Sequence, residues 1–376
     1  MAKILILGGG FGGLTTAEKL SASLGSEHQI TLVSQFPEFI FYPALMHVAF
    51  GNLEPDDIKF DLRAKLHDLG VRFVQGEVLS IDSKHHSVKL YGDDFSGDIY
   101  YDYLVIALGR RLATEKVGGF FEYSHHLLGI KAALKFRKAI ETFERGAIIV
   151  GMCPDARLPV PVCETAFGLA QKFADKIADK KVSIRVVFPE TVETAFGGAK
   201  IHREIEAEFS KYKIEIVTNF PVDDISKTNI SAGEKSLNYD LLMMLPPFRG
   251  QALISQLGTS ADDSSYAKVN RFLQVEGLEQ TYAVGDITAF SGPKFASLAV
   301  QQSDVVTKNI LSELAGGKLQ SVYSQEIATI IDEGGGDSIY LHYGIWDDSL
   351  YRLKTGSLWD WAKYIHERFW QTAHPD

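Results

Sequence analysis

Three groups of residues in this chain have the types and spacing to do chemistry. The first is Gly8-Gly9-Gly10-Phe11-Gly12-Gly13, which contains Gly-x-Gly-x-x-Gly. It follows the apolar run Lys3-Ile4-Leu5-Ile6-Leu7 and precedes an apolar-periodic stretch from Leu14 to Leu24. In that strand–turn–helix setting Gly8 permits the tight turn, Gly10 lets backbone approach a pyrophosphate, and Gly13 lets helix and strand pack closely. Free N–H groups and the dipole at the helix N-terminus then favour the negative charge. The second group is thiol chemistry at Cys163, which sits just before an apolar-periodic run at Phe167, Leu169, Ala170 and Phe173. A helix N-terminus lowers a thiol pKa and makes a better nucleophile. Glu164 beside it fits a base, or a plain partner for the helix dipole. The only other cysteine is Cys153, which also reads as a small buried hydrophobe after a strand. The third group is Thr281-Tyr282-Ala283-Val284-Gly285-Asp286, a strand ending in a Gly-Asp turn.

The elements that must position these groups alternate strand and helix. Strands are expected at 3–7, 29–33, 71–74, 88–91, 103–109, 147–150, 183–188, 213–218, 241–245 and from 280. Helices are expected at 14–24, 129–143, 164–179 and 296–314. Such alternation predicts an α/β class with parallel sheets. The chain has 376 residues, enough for two domains and an appendage. The expected organisation is two Rossmann-like dinucleotide-binding domains plus a small C-terminal α+β region. Residues 1–111 and 246–315 form the first domain, 112–245 the second, and 316–376 the C-terminal region. A hydrophobic content of 45% with 23% charged residues fits a globular protein, and a net charge of −10 argues against a nucleic-acid partner. Two cysteines cannot build a disulfide framework, which points to the cytosol. No signal-peptide pattern precedes Lys3 and no apolar run approaches the roughly 20 residues of a membrane span, so membrane contact is expected to be peripheral.

Together these motifs resemble the two-dinucleotide-binding-domain flavoproteins. In that resemblance Gly8–Gly13 is the FAD pyrophosphate motif, Ala107-Leu108-Gly109 is a variant strand end, and Asp286 contacts the ribityl–phosphate part of FAD. The pattern Phe39-x-Phe41-x-Pro43-Ala44-Leu45-x-x-Val48-Ala49-x-Gly51, with Pro293-Lys294, resembles the sulfide:quinone oxidoreductase branch. That branch includes flavocytochrome c sulfide dehydrogenase and type II NADH dehydrogenase. The resemblance implies FAD contacts at Gly8, Gly10, Phe11, Gly12, Gly13, Ser34, Pro43, Val78, Gly109, Gly285, Asp286, Lys294 and Leu298. Ser34 stands where an acid normally binds the adenosine ribose. It also implies that Cys163 faces the flavin and works with a second cysteine. The stretches where the family carries its other cysteines, Glu326 to Ile330 and Ser124-His125-His126, have none. Cys153 is then the one residue available as a redox partner. His125 and His126 read as a solvated loop pair or, alternatively, as proton carriers.

A nicotinamide site needs a second glycine fingerprint after 147–150. This chain has Gly151-Met152-Cys153-Pro154-Asp155-Ala156-Arg157, with Pro159 and Pro161 beyond it. Proline lacks the N–H that phosphate needs. At the acceptor end, Ala296 to Gln302 resembles a quinone-lining segment, with Gln301 as the matching glutamine and Tyr340 and Trp346 as further quinone residues. Leu358, Trp361, Ile365 and Phe369 fall on one helical face near Lys354, Lys363, His366 and Arg368. This pattern fits either an interfacial membrane anchor or a helix packed on protein. The expected protein is an FAD oxidoreductase at the inner face of the cell membrane. It passes electrons from a small sulfur reductant to a quinone, and a second copy of the chain is a further candidate partner. The alternatives are an NAD(P)H:quinone oxidoreductase and a redox-degenerate FAD-binding protein.

Overall fold

The structure is a computed structural model that describes residues 1–333, 338–347 and 349–356. The elements that build the site are, in chain order, β1 (Lys3–Leu7), α1 (Phe11–Leu24), β2 (Gln29–Ser34), β3 (Arg72–Gln75), β4 (Tyr103–Ile106), β5 (Gly146–Met152), α2 (Pro159–Lys172), β6 (Val182–Val187), β7 (Ile214–Val217), β8 (Leu241–Leu245), β9 (Thr281–Ala283), α3 (Ala296–Leu314), β10 (Glu326–Asp332), β11 (Ser338–Gly344) and β12 (Tyr351–Thr355). Two parallel sheets dominate. The first has the order β9-β4-β1-β2-β3 and the second β7-β6-β5-β8. The second sheet lies between β4 and β9 in sequence, so the chain leaves the first sheet and returns to it. A third, antiparallel sheet runs β10-β11-β12.

The strand sequences explain the layering. Ile4 and Ile6 point into one cluster, and Leu5 and Leu7 into another, all at 1% exposure or less. A strand buried on both faces needs a continuous apolar run rather than an alternating one. Each such side chain contributes roughly 1.5–3 kcal/mol by leaving water. The second sheet follows the same rule: Ile148, Val150 and Met152 face one cluster, while Ile149 and Cys153 face another.

One helix differs from expectation. The run expected at 164–179 starts earlier, at Pro159, and divides into Pro159–Lys172 and Ala174–Ala178. Proline is tolerated in a first helical turn, because its missing N–H has no intrahelical partner there. Pro159 and Pro161 therefore open the helix instead of delaying it. The aromatic segment 358–370 lies outside the described residues. Among the described residues no helix is long and apolar enough to cross a membrane.

Candidate functional site

Four strand ends of the first sheet meet at one edge, and each carries a residue singled out in the sequence. Gly8 follows β1, Ser34 ends β2, Gly109 lies three residues past β4, and Gly285-Asp286 lies just past β9. The glycines have separable jobs. Gly8 has φ +110°, and a Cβ there would fall 2.2 Å from the Ala107 carbonyl oxygen. A Cβ on Gly13 would fall 1.8 Å from the Gly8 carbonyl oxygen, so α1 and β1 approach too closely for any side chain. At Gly10 a Cβ would meet no protein atom within 4 Å. Nothing in the protein requires a glycine there, and the exposed turn sits at the start of α1. That is what close approach of a ligand needs.

The rest of the edge fits a dinucleotide. A Cβ on Gly9 would lie 3.0 Å from Ser34 Oγ, which puts the Ser34 hydroxyl beside the glycine turn. Phe11 packs edge-on against Phe39 and Phe41 at 5.0 and 5.6 Å. Gly12 is held from two sides: Ser303 Oγ donates to its carbonyl at 2.9 Å and Thr16 Oγ1 at 2.7 Å. Leu298 is buried in the first turn of α3. Pro43 is exposed in the short turn Tyr42–Ala44, and half-buried Val78 lies on the strand Glu77–Asp82.

Around the Gly285-Asp286 turn lies a charged pocket whose walls include Thr288, Lys294, Leu298 and Gln302. Three residues that the sequence reading missed organise it. Gln302 Oε1 accepts from Gly285 N at 2.6 Å, so the turn is oriented by the neighbour of the expected Gln301. Arg110 is 8% exposed at its side chain and pairs with Asp286 at 3.0 Å; its guanidinium lies 3.7 Å from the centroid of the Phe248 ring. Arg157 donates from Nε to Gly292 O at 2.6 Å and from Nη2 to Phe290 O. Lys294 is 6% exposed and donates to Thr288 O at 2.6 Å. Burial, then the nearby Arg157, holds its amine well below the ordinary lysine value. The one available sequence signal was the position of Arg110 directly after Gly109.

The thiols do not behave as expected. Cys163 lies inside α2, in its second turn, and is fully buried. Burial, with Glu164 beside it, pushes its thiol far up rather than down. Burial likewise pushes Cys153 up to about 12. Both cysteines are free. Cys153 belongs to the cluster on one face of the second sheet and Cys163 to the cluster on the other. The two thiols are thus unpaired and belong to separate packing clusters. Glu164 is not a free base: it is buried, and its Oε1 accepts from Asp332 N at 3.1 Å.

His125 and His126 are not a solvated pair. His125 extends the edge of β8, with its N–H bonded to Leu242 O, and its ring packs on Phe136. The His126 ring packs on Phe120 and Phe121. Burial lowers both rings, His125 to about 4, so they stay neutral. The expected acceptor residues also separate. Trp346 meets Phe290 and Tyr323, whose ring centroids lie 5.1 and 5.6 Å away, next to the charged pocket. Gln301 instead donates to Glu326 O at 3.0 Å, and Tyr340 packs on His342 in β11.

The chain is similar along most of its length to known quinone-linked oxidoreductases. Demethylphylloquinone reductase from Synechocystis is 27% identical over 361 residues, covering 91% of this chain and 87% of that one. Type II NADH:quinone oxidoreductase from Staphylococcus haemolyticus is 24% identical over 369 residues, covering 91% and 90%. The solved sulfide:quinone oxidoreductase of Aquifex aeolicus shares the fold at a TM-score of 0.88 and 24% identity, over 98% of this chain and 90% of that one. The family model described as pyridine nucleotide-disulphide oxidoreductase matches residues 2–303. The chain therefore belongs to the pyridine nucleotide-disulphide oxidoreductase family and is an oxidoreductase.

Proposed function

We propose that this protein is an FAD-dependent oxidoreductase that reduces a quinone with electrons from a small sulfur reductant of the sulfide class. FAD supplies a two-electron redox ring when bound. The Gly8–Gly13 turn would hold its pyrophosphate, Ser34 the adenosine ribose side, and Asp286 the ribityl–phosphate part. Lys294 and the first turn of α3 would meet the redox end, where the free N–H groups and dipole of the helix N-terminus favour the reduced form. Trp346, Phe290 and Tyr323 offer an aromatic wall for a flat quinone. The balance closes as two hydrosulfide ions, one quinone and one proton giving hydrodisulfide and quinol. Sulfur loses two electrons, one S–S bond forms, and the quinone gains two electrons and two protons. A second hydrosulfide, in place of a Cys153–Cys163 pair, receives the oxidised sulfur.

One observation carries the choice of donor: the loop between β5 and α2. It opens with Cys153-Pro154, and α2 begins at Pro159 with a second proline at 161. Three backbone N–H groups along this loop and the first helical turn, at 154, 159 and 161, are missing and cannot meet a nucleotide phosphate. Arg157, the one cation in the loop, is spent on Phe290 O and Gly292 O. Anaerobic titration of the FAD-loaded protein tests the reading. Sulfide is expected to bleach the flavin band and a short-chain quinone to restore it. Bleaching by stoichiometric NADH, with none by sulfide, would overturn the donor assignment. Failure of the quinone to reoxidise it would overturn the acceptor.

A further inference from the structure

We infer that loop 153–158 is a strap between the two halves of the molecule, and that Arg157 is the positioning residue that fixes the Asp286–Lys294 segment at the redox end of the cofactor site. The inference rests on the FAD reading above and adds a residue to it.

Four hydrogen bonds carry the inference. The Arg157 guanidinium donates to Phe290 O and Gly292 O, so it grips the segment between Asp286 and Lys294 by two carbonyls. The Arg157 carbonyl accepts from Lys294 N at 3.0 Å. One residue earlier, the Ala156 carbonyl accepts from Arg110 Nη1 at 2.9 Å, and Arg110 also holds Asp286. The strap thus fixes both charged groups of the pocket, Lys294 directly and Asp286 through Arg110. Its own backbone is strained. Asp155 and Arg157 have φ of +63° and +57°, a region that side-chain-bearing residues rarely adopt. Such strain persists where the surroundings over-determine it, and it concentrates at functional sites. Asp155 is tied down in turn by Lys116 at 2.8 Å.

The charges define what the strap does. Arg110 and Arg157 lie beside Asp286, with the buried Lys294 amine next to them; Asp155 near Arg157 and Asp262 near Lys294 are further acids. Preorganised positive charge stabilises the more negative partner of a redox couple. Moving or removing Arg157 therefore disfavours the reduced cofactor more than the oxidised one. A merely structural clamp would change stability and leave this ratio alone.

The test uses the full chain, R157K and R157Q, each titrated as apoprotein with FAD and then equilibrated with redox dyes. For R157Q the expected result is tenfold weaker FAD binding and a two-electron midpoint about 30 mV lower, equivalent to a further tenfold in favour of the oxidised form. R157K keeps the charge but loses the two-carbonyl fork. It is expected to fall between R157Q and the unaltered protein in midpoint, and it decides the matter if R157Q does not fold. FAD affinity and midpoint equal to the unaltered protein in the folded variants would overturn the strap and leave the FAD reading intact. An unaltered protein that takes up no FAD would overturn both.

Discussion

The two halves of the molecule present the same topological corner and use it in opposite ways. In the first, β1 ends at Leu7 and α1 begins at Phe11, so three residues make the turn. In the second, β5 ends at Met152 and α2 begins at Pro159, leaving six. The first turn is glycine at every position, and at its last glycine, Gly10, an added Cβ would meet no protein atom within 4 Å. The second contains Pro154 and two left-handed residues, and it points a guanidinium into the other half. The parallel sheet sets where a helix N-terminus lands. Whether that end receives phosphate is decided by a few side chains and by which N–H groups survive. One corner has been kept open, and the other has been filled by its own protein.

The contrast can be broken most forcefully at Gly13. Gly13→Ala places a methyl 1.8 Å from the Gly8 carbonyl and should cost about 3 kcal/mol by forcing α1 off β1. Urea unfolding of the apoprotein measures it, and an unchanged midpoint would refute the close packing assigned here.

A smaller effect tests the closed corner through its thiols. Cys163→Ala should cost about 1–2 kcal/mol from lost packing. In the unaltered protein an aromatic disulfide reagent should label Cys163 only on unfolding, since burial holds the thiol neutral. Labelling within seconds at pH 8 under native conditions would contradict the assignment.

The same half should be acid-sensitive. The folded-state pKa of His125, about 4, lies below its unfolded value near 6.5. Its contribution is therefore fully present above pH 6.5 and is lost as pH falls from there toward 4. His125→Phe should flatten that slope relative to the unaltered protein, by an amount reduced through solvent screening of the half-buried ring, measured by thermal or urea unfolding at a series of pH values. Parallel slopes in the two proteins would rule out a neutral ring at His125.

The smallest change in stability is expected at the open corner. Gly10→Ala should leave apoprotein stability within about 0.5 kcal/mol, because no protein atom lies within 4 Å of the added carbon. FAD affinity should nonetheless fall at least tenfold. A stable variant that binds FAD normally would remove the pyrophosphate from this turn.

What the sequence disclosed follows from how local each signal is. The parallel strands were readable because a strand buried on both faces must be an unbroken apolar run, as at Leu241–Leu245. Helix α3 was readable to both ends from Ala296 to Leu314. The start of α2 was missed because Pro159 and Pro161 read as breakers, when the first turn tolerates them. The acidified thiol was inferred from proximity to a helix end, but full burial outweighs a dipole that fades within one turn. Arg110, Arg157 and Gln302 were not legible because their partners lie 176, 135 and 17 residues away, at Asp286, Gly292 and Gly285. Spacing in the chain carries no trace of such contacts. The near miss at Gln301 is instructive: consecutive helical residues point about 100° apart. Gln302 therefore reaches the Gly285 turn while Gln301 reaches β10.

Strand β10 has a mechanical consequence. Its first residue is tied to α3 through Gln301 and Glu326 O. At its far end Asp332 N bonds Glu164, and Glu333 O accepts from Gln171, both on α2. Seven extended residues, about 20 Å of stiff chain, thus span from one half to the other like a tie-rod. To swing apart like a clamshell, the halves would first have to give up the hydrogen bonds at one end of this rod.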